Sequence, residues 1–486
     1  MPSWNKLGMA KQSVPAAETD DDEPVTPAGR LFAQPLMDQV INCAIAGESA
    51  INLESIKSEI QKSIMLKHPR FCSVMVTDAA GRQFWRRTEV DVDRHVIIIH
   101  EPISGEEEFV SDEDAVNDYV ANLTVSSPLS KEKPLWELHV LVAHRAVVFR
   151  VHHALGDGIS LMSMFLSCCR RLDDPEQAPA IAGVGAAAIL PKRWSVWTVV
   201  KLVWFTLLYS LELILRLMWL SDKTTAVSGG SGVELWPRRL ATARFRIEDM
   251  KTVKRAVAEA TINDVLFGVI EMGISRYFDL RSNNSLQEGD QITGVAMVNL
   301  RPQAGLQDLS KLMNTNANSG SRWGNKFGII LLPVCYHKHN SGSGSGSGSD
   351  PLLFVRRAKA MIDRKKLSLE APFSYMLMDV ITHLFGAKLT SILNYQVVCN
   401  TTFTVSNVIG PREKITLCGN PVKYMRVTTS SLPHAITMHM LSYAGFADMQ
   451  ILVAKEIIPD PKLLAKCFED ALMEMKEEAS TSFQGI

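Results

Sequence analysis

The sequence predicts an α/β protein made of two similar mixed units, on three observations. Short apolar strands alternate with helical segments through residues 26–180, and the same mixture returns over residues 235–486. Between them, residues 181–234 hold a linker and one long apolar stretch. With 486 residues and 46% apolar content, the chain has material for two or three sizeable cores.

Taken in order, residues 1–25 are acidic, polar and proline-containing and are expected to be disordered, with folding beginning near Leu31. The first unit has helices over 49–66 and 112–123 and strands over 94–100, 138–142 and 146–151, with Ala143 to Arg145 as a short hairpin connection. Apolar strand 146–151 runs into His152-His153-Ala154-Leu155-Gly156-Asp157-Gly158, and apolar helix 159–166 follows. A strand-to-helix turn of this kind presents polar side chains to a cleft. The segment 173–193 is rich in Ala, Gly and Pro. In the second unit a helix is expected over 248–280 with a polar break at Thr261-Ile-Asn-Asp264, then strands over 294–300, 327–335, 399–406, 438–443 and 449–453, and a closing helix over 461–478. Strict Ser-Gly alternation over 341–349 has neither packing side chains nor backbone restraint and reads as a flexible connector.

The 27 residues of 194–220 are long enough to cross a bilayer, with Trp194, Trp197 and Trp219 near the ends. Lys201, Glu212 and Arg216 oppose a simple span, each costing about 2.5 kcal/mol or more near a bilayer centre. At about 100° per residue they fall within an arc of about 60°. One polar stripe on a greasy helix predicts a helix lying in the membrane surface, or one packing its charged face on protein.

Lys and Arg total 51 against 52 Asp and Glu, and no basic stripe stands out, so a nucleic-acid partner has no electrostatic support. The eight cysteines are scattered without CxxC spacing and read as reduced core thiols. The N-terminus offers no apolar signal-peptide core, which places the chemistry on the cytosolic side. No GxSxG elbow, HExxH or Cys/His metal spacing, P-loop or dinucleotide glycine pattern occurs, so neither a metal nor a cofactor is expected.

An imidazole takes a proton at neutral pH and returns it. Without a protein nucleophile beside it, such a base suits direct activation of a substrate hydroxyl. Period-2 alternation puts His152 and His153 on opposite sides of the strand, so His153 alone is expected to act as the base, with His152 in support. Asp157 stands where it caps the following helix, and Gly158 supplies freedom for the turn.

The motif His152–Gly158, together with Pro134-Leu135-Trp136, Asn263-Asp264, Asn299-Leu-Arg301-Pro302, 328–333 and Ser406-Asn407-Val-Ile-Gly-Pro411, resembles the plant wax ester synthase/diacylglycerol acyltransferase family. Residues 23–32 and 432–440 are similar to its plant members, and the resemblance runs from about residue 23 to the C-terminus. It implies two chloramphenicol-acetyltransferase-like domains forming an interface tunnel. It makes His153 the proton acceptor, with His152, Asp157 and Gly158 as motif positions, and implies that Pro134, Leu135, Trp136, Asn263 and Asp264 bind substrate. Its substrates would be long-chain acyl-CoA with a long-chain fatty alcohol or diacylglycerol, at a membrane surface. The location it implies is the endoplasmic reticulum membrane, with the plasma membrane as a second. Alternatives are an acyltransferase for small soluble alcohols and a non-catalytic lipid-binding protein. The DFGWG motif of plant acyltransferases that use small alcohols is missing, which lowers the first alternative. The Ser-Gly tract falls where the family has a variable loop.

Overall fold

The computed structural model describes residues 22–103, 111–125, 127–177, 179, 195–281, 286–301, 323–338 and 350–484. The Ser-Gly tract, residues 180–194 of the linker region and residues 1–21 lie outside that set. Two large sheets organise the molecule. The first has the order β5 (Val96–Ile99), β6 (Trp136–Leu141), β7 (Ala146–His152), β2 (Val40–Gly47), β14 (Asn420–Thr429), β13 (Ile415–Leu417), β8 (Cys169–Arg171). The second runs β11 (Phe327–Cys335), β10 (Gln291–Asn299), β12 (Phe403–Ile409), β15 (Ile436–Tyr443), β16 (Phe446–Ala454), β9 (Arg238–Arg246).

The first sheet corrects the expected boundary between units. Strands β13 and β14 come from the second half of the chain, yet β14 pairs antiparallel with β2 from Val422 opposite Gly47 to Thr429 opposite Ile41. Without them β2 would expose a row of unpaired backbone groups. Ion pairs reinforce the exchange: buried Arg426 of β14 reaches Asp448 of β16 at 2.8 Å and Glu113 at 2.6 Å, the latter on α3 (Asp112–Leu123).

A second correction concerns the acidic N-terminus. Glu23 and Pro24 form β1, paired with β4 (Gln83–Arg87), which in turn pairs with β3 (Ser73–Thr77). Asp22 meets Arg86 at 2.6 Å and Glu23 meets Arg70 at 2.6 Å, so charges that repel one another alone are held by cations across the fold. A short helix α1 (Pro27–Phe32) follows, capped by Thr26 and started by proline.

Helix boundaries shift where caps compete with periodicity. The helix expected over 49–66 is α2 (Leu53–Lys62), because the Asn52 side chain accepts from Ser55 N–H. The helix expected over 248–280 is two helices, α6 (Ile247–Ala256) and α7 (Ile262–Arg281). Thr261 N–H donates to Asp264 Oδ2 at 2.6 Å while Thr261 Oγ1 accepts from Asp264 N–H, a reciprocal cap that starts α7. Helices α6, α7 and α10 (Pro461–Gln484) cover the second sheet around Phe278, Phe403 and Phe468. Helix α4 (Gly158–Ser167) leaves the end of β7.

The apolar stretch forms α5 (Val196–Met218), and of its polar stripe Arg216 is buried, Glu212 half-buried and Lys201 exposed. Arg216 is buried against Asp222, Thr293 and the carbonyl of Asn400, while Trp197, Trp204, Leu207 and Leu211 are more than half exposed. Through Leu213 and Leu217 it packs with Phe373 and Val397 of α9 (Glu370–Cys399), a helix kinked at Gly386, where φ is +85°. Helix α9 also exposes Leu384 and Phe385 beside that kink.

Buried imidazoles set the acid stability. Burial pushes His68 and His434 down to about 3 and His439 to about 4, from 6.5. Below pH 6.5 the unfolded chain therefore takes up protons that the fold refuses, each ring giving up to about 1.4 kcal/mol per pH unit. His95 and His153 are lowered by burial as well, and His337, raised by Glu271 and Glu288, opposes these five. The urea midpoint should fall between pH 7.5 and pH 5, above the range where most carboxylates titrate; an unchanged midpoint would contradict this.

Candidate active site

Strand β7 delivers the two histidines in opposite directions. His152, its last residue, is buried: Nδ1 accepts from Ala154 N–H at 3.1 Å, so Nε2 carries the proton and donates to Asp38 at 2.9 Å. It braces the turn from behind. His153 is half-buried, and its backbone N–H donates to the carbonyl of Gln39 at 2.8 Å. Asn325 grips it twice. The amide Nδ2 donates to the His153 carbonyl at 2.8 Å, which turns Oδ1 toward the ring, 3.0 Å from Nδ1. Oδ1 only accepts, so Nδ1 carries the proton and Nε2 is left with a lone pair. Phe32 stacks on the ring at 4.2 Å between centroids and Phe327 lies 6.0 Å away. Burial holds the imidazole pKa below its ordinary value, so it is neutral at pH 7. Nearby His439 on β15 is buried, with Nδ1 unpartnered and a pKa lowered by burial and by His153.

Asp157 is held by its own turn and by the second sheet. One oxygen caps α4 through Ser160 N–H at 3.1 Å; the other accepts from Lys326 N–H at 3.0 Å and from the Arg301 guanidinium. Arg301 also donates to the carbonyl of Gly324 at 2.5 Å and to Ser160 Oγ at 3.1 Å. Residues 323–326 lead into β11 and Arg301 follows its partner β10, so one end of the second sheet clasps the turn and carries Asn325 to His153. Trp323 Nε1 adds a bond to the carbonyl of Leu155.

The glycine expectation needs revision. Gly158 has no left-handed φ, and a Cβ there would meet only Val408 of β12, at an ordinary 3.5 Å. Gly156 is the constrained position, since a Cβ would lie 3.3 Å from Ser160 Cβ and 3.4 Å from the Trp323 ring.

The five expected substrate-binding positions are held by the fold as follows. Pro134 and Leu135 are buried, and the Leu135 carbonyl accepts from His152 N–H at 3.0 Å. Trp136 is fully buried, stacked on His95 at 4.0 Å and donating to the carbonyl of Phe71. Asp264 is fully buried as the cap of α7, and exposed Asn263 accepts from Asn407 at 2.9 Å. Among the described residues, no group of three or more His, Cys, Asp or Glu is placed to hold a metal.

A family model described as the wax ester synthase/diacylglycerol acyltransferase catalytic domain matches residues 46–208, and one for the C-terminal domain of the same family matches 323–476. Wax ester synthase/diacylglycerol acyltransferase 11 of Arabidopsis thaliana is 34% identical over 96% of this chain and 97% of its own length. The chain belongs to the wax ester synthase/diacylglycerol acyltransferase family. It is an acyltransferase. Among solved structures, the wax ester synthase/diacylglycerol acyltransferase of Marinobacter aquaeolei VT8 superposes with a TM-score of 0.57 at 16% identity, covering 94% of this chain and all of that one. A trichothecene 15-O-acetyltransferase from Fusarium sporotrichioides gives 0.58 at 11% identity, with 93% and 95% covered. The fold is the two-domain chloramphenicol-acetyltransferase-like one.

Within this acyltransferase, Asn325 carries no local sign that would have singled it out, Phe32 and His439 lie in the family-like segments 23–32 and 432–440, and the relation of all three to His153 is made by the fold. Asn325→Ala should lower kcat about 10- to 100-fold with little change in KM, because the ring loses its fixed orientation. Asn325→Asp should restore part of kcat and move the acid limb of the pH profile upward, its carboxylate favouring the imidazolium. Steady-state kinetics of the two variants over pH 5–9 checks both; wild-type kcat in Asn325→Ala would contradict it.

Proposed function

We propose that this acyltransferase moves a long-chain acyl group from acyl-CoA to the hydroxyl of a long-chain fatty alcohol, giving a wax ester, with diacylglycerol as a second acceptor. The observation that carries the reading is the neutral His153 ring, with Nδ1–H held by Asn325 and Nε2 left as a base where the two sheets meet. Acceptor and donor meet in a tunnel along that junction. Nε2 takes the hydroxyl proton as the oxygen attacks the thioester carbonyl carbon. The tetrahedral intermediate then expels the CoA sulfur, which leaves with the proton from the imidazolium. No acyl-enzyme forms.

The acceptors proposed here live in membranes, and α5 together with α9 supports working at one. Helix α5 keeps Arg216 against protein and turns Val196, Trp197, Trp204 and Leu207 outward. Indole rings favour the interface between headgroups and chains. The bilayer in question is that of the endoplasmic reticulum, with the site facing the cytosol. Purified protein should float with phosphatidylcholine vesicles and esterify hexadecanol and diacylglycerol with palmitoyl-CoA. Far faster turnover of acetyl-CoA than of C16 or C18 donors would overturn the long-chain reading in favour of small soluble alcohols.

A further inference from the structure

A cavity of about 510 Å³ lies in the first domain, between the face of the first sheet and helices α2 and α4. Neither His153 nor Asp157 lines it. Such a volume is within the range of small-molecule pockets and far above the voids of a packed core. Much of its lining is hydrocarbon, with Ile45 and Phe149 from the sheet, Ile56 and Ile60 from α2, Met164 and Phe165 from α4, while Asn52, Ser55, Ser167 and Asn420 add polar groups that are not buried. Fully buried Trp136 and Phe71 also line it. The charged lining residues Lys62, Arg145, Arg170 and Glu59 are all exposed, three cations to one carboxylate. Arg145 is paired with Asp112 at 3.1 Å. Arg170 donates through Nη1 to the carbonyl of Cys169 at 2.8 Å and has no carboxylate partner among the described residues, so its charge and that of Lys62 can meet an anion.

We propose that this cavity binds one single-chain anionic lipid, the hydrocarbon tail inside and the head at Lys62 and Arg170. The buried lining residues, Ile45, Ile56, Met65, Phe71, Met164 and Val422 among them, are apolar, so polar groups of a ligand placed against them would be desolvated without partners, whereas a hydrocarbon tail would not. A single chain leaves its one polar end at the charged residues. The site is separate from the base at His153 and does not depend on its role. Two sources share the chemistry, a free fatty acid with its carboxylate and an acyl-CoA with its phosphates. Helix α4 forms one wall and is capped by Asp157, so an occupant packs on the helix that the catalytic turn feeds.

Binding of palmitate and of palmitoyl-CoA to the full chain, each titrated against a fluorescent fatty acid, tests this. Ile60→Trp fills the cavity from α2, and K62E/R170E reverses the two exposed charges without touching the core. Palmitate should displace the probe saturably from the native protein and bind at least tenfold more weakly to both variants. Weakening of palmitate alone in K62E/R170E assigns the free acid; weakening of both ligands assigns the CoA thioester as well. K62E/R170E should keep the native rate of ester synthesis, which separates this site from the catalytic one. Absence of saturable displacement, or equal affinity in native protein and both variants, would overturn the proposal.

Discussion

Replacing His153 by alanine should reduce ester synthesis by about 10³-fold, within the 10²–10⁴ that a positioned general base supplies, while the protein stays folded. The fold has little stake in this ring. Its side chain makes one hydrogen bond, to Asn325, and one stack, on Phe32, together worth about 1–2 kcal/mol. The backbone of residue 153 would still be held by Gln39 and by the Asn325 amide. His152→Ala should behave differently, because it removes a buried ring that satisfies both Ala154 N–H and Asp38, so its loss falls on stability as much as on rate. Rates with palmitoyl-CoA and hexadecanol, set beside circular dichroism melts, separate the two. A His153→Ala protein with near-native rate would remove the base from the mechanism.

Arg301→Met should destabilise the protein by about 3–5 kcal/mol, the usual cost of leaving one partner of a buried ion pair alone. The Arg301 side chain is 1% exposed and Asp157 9%. Without the guanidinium, the Asp157 carboxylate keeps the N–H groups of Ser160 and Lys326, and the carbonyl of Gly324 keeps the Ser160 hydroxyl at 3.4 Å but loses its shorter, charged donor. The double variant with Asp157→Asn removes the stranded charge while keeping an N-cap, so it should be more stable than the sum of the singles by 1 kcal/mol or more. Urea unfolding of the four proteins reads the coupling. Additive losses, or an Arg301→Met protein within about 1 kcal/mol of native, would show that the clasp between the second sheet and the histidine turn is not what holds that turn.

The turn was legible because its signals are local. Apolar strand β7, two adjacent histidines of opposite direction, and an Asp one residue before a helix are all read within twenty residues, and the structure puts them as expected, with Asp157 as a cap. The clasp was not legible, since Asn325 lies 172 residues from His153 and Arg301 lies 144 from Asp157. Nor did periodicity reveal that β14 leaves its own half of the chain to complete the first sheet, because strand exchange is decided by which edge needs a partner. The break before α7 carried a readable mark in Thr261 and Asp264, three residues apart as a cap requires, and that pairing starts the helix. On α5 the charges Glu212 and Arg216 were visible, but only the neighbours Asp222 and Thr293 show that Arg216 turns inward while the indoles stay outside.

Whether the catalytic proton sits on His153 is decided by the pH dependence of kcat/KM for palmitoyl-CoA and hexadecanol, in native and Asn325→Asp protein. Burial lowers the His153 pKa, so native activity should hold to below pH 6.5 and then fall with a single acid limb, which moves upward in Asn325→Asp. An acid limb at the same pH in both proteins would mean that the proton in question does not sit on His153.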